Sequence, residues 1–241
     1  MQDDGIKIKQ GVRRELCGVA LKENLVVINS FFRKERFRRK RPETHSAACS
    51  PDRVVNFMET KKVVLLGDSI RLMGYGSRIP ALLGDGYEVW QPEDNGRFIQ
   101  YILRQIFDYR EQIEKAQIVH FNSGEWDICE LFGDGPFTPP DMYVSQVMRV
   151  VKILQSWGKT VVFATTTPVR EENPHNHNDV IRRFNELIVP QLQKAGVVVN
   201  DLYAVVAEDI YANVCDDNIH LSEQGIKRCA EQTAEVIRNV S

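Results

Sequence analysis

From Lys61 onward the chain alternates short apolar, β-branched runs with longer stretches whose apolar residues recur at helical spacing, and that alternation leaves few folds open. Five runs read as buried strands: KKVVLLG (61–67), GYEVWQ (86–91), AQIVHFN (116–122), Lys159 to Thr166 ahead of Pro168, and GVVVNDL (196–202). Phe98 to Lys115 carries Phe98, Ile102, Ile106 and Ile113 close to one helical face, and Asp141 to Trp157 carries Val144, Val147, Val151 and Leu154. A further helix is expected over Asp179 to Ala195, kinked or broken at Pro190. A short one follows at about 202–209, and a last one starts at Ser222 as N-cap. Strands that alternate with helices build a parallel sheet with helices on both faces. The expected class is therefore α/β, a flavodoxin-like three-layer α/β/α sandwich whose five-stranded parallel sheet has the order 2-1-3-4-5. In such sheets ligands bind beyond the C-terminal strand ends, at the switch point between the first and third strands.

Residues 1–57 read differently and form an expected basic N-terminal segment, with the folded domain over 58–241. Arg33, Lys34, Arg36, Arg38, Arg39, Lys40 and Arg41 stand against Glu35 alone, and PETHSAACSPD follows as a linker. The block suits a tether to nucleic acid or an anionic surface, a solvated tail, or residues upstream of a natural start at Met58. A formal net charge of −2 gives the whole chain no bias toward nucleic acid. The five cysteines are scattered without a C-x-x-C pair, which argues against a disulfide framework and a zinc site. No stretch approaches the ~20 apolar residues of a membrane span, and the first residues lack the order of a secretory signal. A cytoplasmic location is expected.

Chemistry should lie just past the strand ends. Gly67-Asp68-Ser69 follows the first strand, Asn122-Ser123-Gly124-Glu125-Trp126-Asp127 the third, and Asp217-Asn218-Ile219-His220 precedes the last helix. A serine hydroxyl needs a base to take its proton, and imidazole is suited to that task. The imidazole in turn needs a carboxylate to fix its tautomer and stabilise its cation. Ser69, His220 and Asp217 are the catalytic candidates; D-x-x-H spacing selects Asp217 over Asp216. The oxyanion of a tetrahedral intermediate needs preorganised donors, for which the Ser69 N–H is one candidate.

GDSI after an apolar strand, with DNIHLSEQG near the C-terminus, resembles the SGNH/GDSL hydrolases over about residues 61–240. The resemblance implies an esterase, lipase or carbohydrate deacetylase without metal or other cofactor, with Ser69 as nucleophile and Asp217 and His220 as the D-x-x-H pair. Gly96, in PEDNGRF, resembles the family's second-block glycine, whose N–H joins the oxyanion hole. The third block departs from the usual G-x-N-D: Trp126 stands where its Asn would be. Asn122 is the preferred replacement donor, and the Trp126 indole N–H is the other candidate. Trp126 is also a candidate for substrate stacking.

His175 and His177 lie in a polar loop suited to contacting substrate, and His120 reads as a core histidine. No G-x-G-x-x-G or Walker loop is present. The expected activity is hydrolysis of small acyl esters, acetyl groups on carbohydrate among them, through an acyl-Ser69 intermediate. An acyltransferase using the same residues, a catalytically silent glycan- or partner-binding domain, and recruitment to nucleic acid by the basic segment are the competing readings.

Overall fold

The computed structural model describes residues 60–241; the basic segment and the expected domain start at 58 lie outside the described residues. Five strands form one parallel sheet in the order β2-β1-β3-β4-β5: β1 (Lys61–Leu66), β2 (Tyr87–Trp90), β3 (Ile118–Asn122), β4 (Thr160–Ala164) and β5 (Val198–Asn200). The helices are α1 (Ile79–Leu83), α2 (Ile99–Asp108), α3 (Arg110–Lys115), α4 (Pro140–Ser156), α5 (Asn178–Lys194), α6 (Leu202–Ala207), α7 (Ile210–Asn213) and α8 (Glu223–Asn239).

Strand periodicity divides the core into two. Side chains alternate across a sheet, so Val64, Leu66, Val119, Phe121, Val161 and Phe163 face α2, α3, α4 and α5. Their neighbours Val63, Leu65, Ile118, Val162 and Ala164 face α1, α6 and α8. Both faces are apolar because both are covered, which is why the strands read as continuous hydrophobic runs. The three-layer α/β/α expectation and the strand order hold.

The elements differ from the sequence reading mainly at their ends. The helix expected over Phe98 to Lys115 is two helices, since Tyr109 leaves helical geometry at φ −105° and ψ 22°. Ile99 rather than Phe98 opens its buried stripe, with Ile102 and Ile106 behind it. Pro190 neither breaks nor ends α5, which continues to Lys194; Ile188 and Leu192 are buried on either side of it and anchor the helix through the missing hydrogen bond. Ser222 caps α8 as expected, its hydroxyl accepting from the Gly225 N–H at 3.2 Å. His120 is a core histidine against Asn200 (3.1 Å) and the edge of Tyr75, and burial pushes its pKa down to about 3. Among the described residues no helix is long and apolar enough to cross a membrane, and Cys129, Cys215 and Cys229 are free thiols.

Phe121 is fully buried and meets the Phe163 ring edge-on, with centroids 5.1 Å apart. Phe121→Ala is expected to lower unfolding free energy by about 3–5 kcal/mol. Urea denaturation should show a reduced midpoint with an unchanged slope.

Candidate active site

The sharp turn after β1 is built by what surrounds Gly67. At φ +152°, a Cβ there would lie 1.9 Å from Asn122 Oδ1, so only glycine lets the β3 end approach. Asp68 is fully buried; its Oδ1 accepts from the Ile70 N–H at 2.9 Å and from Asn122 Nδ2 at 2.6 Å. Burial raises its pKa, opposed by the Asn122 and Ile70 hydrogen bonds and by Arg71. Ser69 therefore begins a helical turn (Ile70–Gly74) whose base is fixed from below. Asn122 Oδ1 accepts from the Tyr75 hydroxyl at 3.1 Å, and its Nδ2 keeps one hydrogen beyond the Asp68 bond.

Gly96 comes to the same turn from the β2–α2 connection, but not as expected. Its N–H donates to the Gly67 carbonyl at 2.8 Å and is no longer available to an oxyanion. Its lack of a side chain serves close packing: a Cβ would lie 2.6 Å from Gly67 O and 2.3 Å from Ile102 Cδ1. Arg71, missed in the sequence, completes the link. Its buried guanidinium donates to Gly67 O (3.2 Å), Pro92 O (2.8 Å) and Asp94 O (2.8 Å), tying residues 92–96 to the turn. A basic residue two positions after Ser69, amid apolar neighbours, was the available signal.

Asp217 and His220 occupy a tight turn closed by the antiparallel bridge between Val214 and Leu221. The Cys215 N–H donates to His220 O at 2.7 Å, and Asn218 takes the left-handed conformation at φ 69°, which asparagine tolerates. Asp217 Oδ1 accepts from the N–H groups of Ile219 (3.1 Å) and His220 (2.9 Å), while Oδ2 lies 2.7 Å from His220 Nδ1. Burial acts to raise the Asp217 pKa, but these N–H groups and the imidazole outweigh it and hold the carboxylate below its usual range. His220 Nε2 stands 2.9 Å from Ser69 Oγ. The structure thus joins Ser69, His220 and Asp217 in one hydrogen-bonded line. Asp216 points elsewhere, pairing with Arg170 at 2.7 Å.

The loop after β3 carries two buried acids. Asp127 accepts from the Ile99 N–H at the start of α2, from Ser123 Oγ (2.9 Å) and from Thr138 Oγ1 (2.7 Å); burial, only partly offset by those bonds, pushes its pKa up to about 6. Glu125 is held by Thr167 Oγ1 (3.1 Å) and Asn176 Nδ2 (2.8 Å), and burial, reinforced by Asp68, pushes it up to about 8. Trp126 is 43% exposed. With Glu125, Leu131, Asn173, His175, Asn176 and Asp217 it lines a cavity of about 330 Å³. His175 thus reaches this cavity, while His177, just before α5, lines a neighbouring one with Arg170 and Asn178.

No protein-family model and no curated protein matches the chain. Solved structures do. The acetyl xylan esterase AlAXEase is 20% identical with a TM-score of 0.59, covering 74% of this chain and 98% of its own. The lipase/acylhydrolase from Enterococcus faecalis is 17% identical at TM-score 0.63, covering 75% and 96%. The acetylxylan esterase Axe2 from Geobacillus stearothermophilus is 16% identical at TM-score 0.62, covering 74% and 94%. The chain has the SGNH/GDSL hydrolase fold.

Glu125 gives stability a pH dependence. Its folded value of about 8 lies above the ordinary 4.5, so the folded state binds the proton more tightly. The resulting stabilisation is full below the ordinary value and is lost as pH rises through about 8. Thermal melts of the wild type should therefore fall between about pH 5 and pH 9, and Glu125→Gln should flatten that fall. The amide fits the site with its oxygen toward Asn176 and its nitrogen toward Thr167. An equally steep fall in the variant would assign the effect to Asp68 and Asp127.

Proposed function

We propose that this protein is a serine ester hydrolase acting on small acyl esters, with Ser69 as nucleophile. The observation that carries the reading is the line from Ser69 Oγ through His220, 2.9 Å away, to Asp217 at 2.7 Å. In this mechanism His220 Nε2 takes the Ser69 hydroxyl proton as Oγ attacks the ester carbonyl. Asp217 keeps Nδ1 protonated and stabilises the imidazolium. The tetrahedral intermediate collapses to an acyl-Ser69 as Nε2 returns the proton to the leaving alcohol. Water, deprotonated by the same nitrogen, then releases the acid.

The oxyanion donors we assign are the Ser69 N–H, at the start of its helical turn, and the second hydrogen of Asn122 Nδ2. Asn122 is favoured over the Trp126 indole because its carboxamide is fixed against the nucleophile turn at both ends. For the substrate, an acetyl group on a carbohydrate is the reading best supported. Two of the solved structures above are named as acetyl xylan esterases, and Trp126 offers a half-exposed flat ring beside the amides of Asn173 and Asn176 in the cavity next to Asp217.

The test is hydrolysis of p-nitrophenyl acetate and of acetylated xylo-oligosaccharides by the wild type, Ser69→Ala and His220→Ala. Both variants should keep the fold and lose at least about a thousandfold in kcat. Equal rates in wild type and Ser69→Ala would remove Ser69 from the mechanism. Oligosaccharide binding without turnover in the wild type would replace the enzyme reading with that of a glycan-binding domain.

A further inference from the structure

Val214 and Leu221 anchor the two ends of the Asp217–His220 turn in the core and Ile219 packs against it, while the more exposed segment between, Asp216 to Asn218, is held by polar groups. Its own backbone bonds close the turn but do not locate it relative to the sheet. A polar link comes from the segment after β4, where Arg170 meets the turn at three points and α7 at a fourth. Its Nη1 pairs with Asp216 Oδ1 at 2.7 Å, and its Nη2 donates to Val214 O at 2.6 Å and Tyr211 O at 3.1 Å. Its backbone N–H donates to Asn218 O at 3.1 Å. Asn218 lies between Asp217 and His220, and Val214 opens the bridge that closes the turn.

The geometry points to Arg170 as the positioning residue of the Asp217–His220 turn. Asp216, rejected as the orienter of His220, has a place in this arrangement: it aligns the guanidinium that grips the carbonyls. A planar fork can serve two carbonyls and a carboxylate at once, which a lysine ammonium on a flexible stem cannot do with the same rigidity. The Arg170 side chain is only 16% exposed, and its ring-facing side lies over Tyr211 at 5.4 Å, so the fork is held on both sides. The segment is braced in turn: the Asn173 N–H donates to Arg170 O at 3.0 Å, and Asn176 joins the same loop to Glu125. Because residues 173–176 also wall the cavity, Arg170 couples the substrate-facing loop to the base.

The kinetic arm rests on the Ser69 reading, so the experiment has a second arm that does not. The kcat and KM for p-nitrophenyl acetate are compared among wild type, Arg170→Gln, Arg170→Lys and Asp216→Asn, with folding checked by circular dichroism and thermal melts. The low-field proton NMR signal of His220 Nδ1–H is recorded on the same samples. A displaced turn should lower kcat of Arg170→Gln about 10- to 100-fold, as misplacement by about 1 Å typically does, with KM within about threefold. Arg170→Lys should recover part of the rate, and Asp216→Asn, which loses the aligning carboxylate but keeps the carbonyl grips, should fall between wild type and Arg170→Gln. The His220 signal should shift or broaden in Arg170→Gln. A folded Arg170→Gln with wild-type kcat and an unchanged His220 signal would overturn the assignment, whatever its melting temperature. If Arg170→Gln does not fold, the same result in Arg170→Lys would overturn it. A wild type without Ser69-dependent turnover counts against the proposed function alone, and the His220 signal then decides the role of Arg170.

Discussion

One carbonyl organises the Ser69 side of this molecule. Gly67 O accepts from the Gly96 N–H and from the Arg71 guanidinium, and the two donors arrive from different segments of chain. Without the first, the β2–α2 connection would have no fixed height above the sheet; without the second, a buried arginine would lose one of its acceptors at a severe desolvation cost. Both depend on glycine at 67 and 96, because a Cβ at 96 would strike the Gly67 backbone and one at 67 would strike the Asn122 side chain. The serine is presented at a defined place because its predecessor cannot move.

The His220 side is built by different means. Apolar packing fixes the sheet, its helices and the two ends of the Asp217–His220 turn at Val214 and Leu221, whereas the segment between is held by polar groups: carbonyls gripped by Arg170, a backbone bridge, and the Asp217 carboxylate accepting N–H groups of its own turn. Polar contacts are directional and weaken steeply with distance. They suit a turn that must hold an imidazole to within a few tenths of an ångström. They also concentrate buried acids and amides near the strand ends, and Glu125 and Asp127 carry the resulting pKa displacement.

Much of this was legible in the sequence. The strand order and the two-faced core follow from continuous β-branched runs, since only a doubly covered parallel strand tolerates them. Placing Ser69, Asn122 and the Asp217–His220 pair at strand ends followed from topology, and the structure brings all four to one end of the sheet. The roles of those residues remain proposals. What was not legible depends on which group a donor faces. Gly96 was read as an anion donor, yet its N–H turns to Gly67, and no spacing rule distinguishes the two. Arg170 looks like an ordinary surface arginine in a linear chain, and Arg71 is marked only by its apolar neighbours. They become buried or half-buried because loop carbonyls distant in sequence converge on them. Glu125 was named only as part of the segment after the third strand; its burial, which pushes its pKa up to about 8, has no signature in the linear chain.

The distribution of the site along the chain has a consequence for synthesis. Ser69 and His220 are separated by 151 residues, and the turn that bears His220 is completed only where α8 begins, with Gly225 packed so closely on Asn213 that a Cβ would lie 2.1 Å from its carbonyl oxygen. A ribosome-bound chain therefore holds its serine early and its imidazole almost last. Until that final segment emerges, the nascent protein lacks the imidazole that the proposed mechanism requires. A stop between residues 201 and 219 would keep the sequence of all five strands and lose the imidazole of the proposed site.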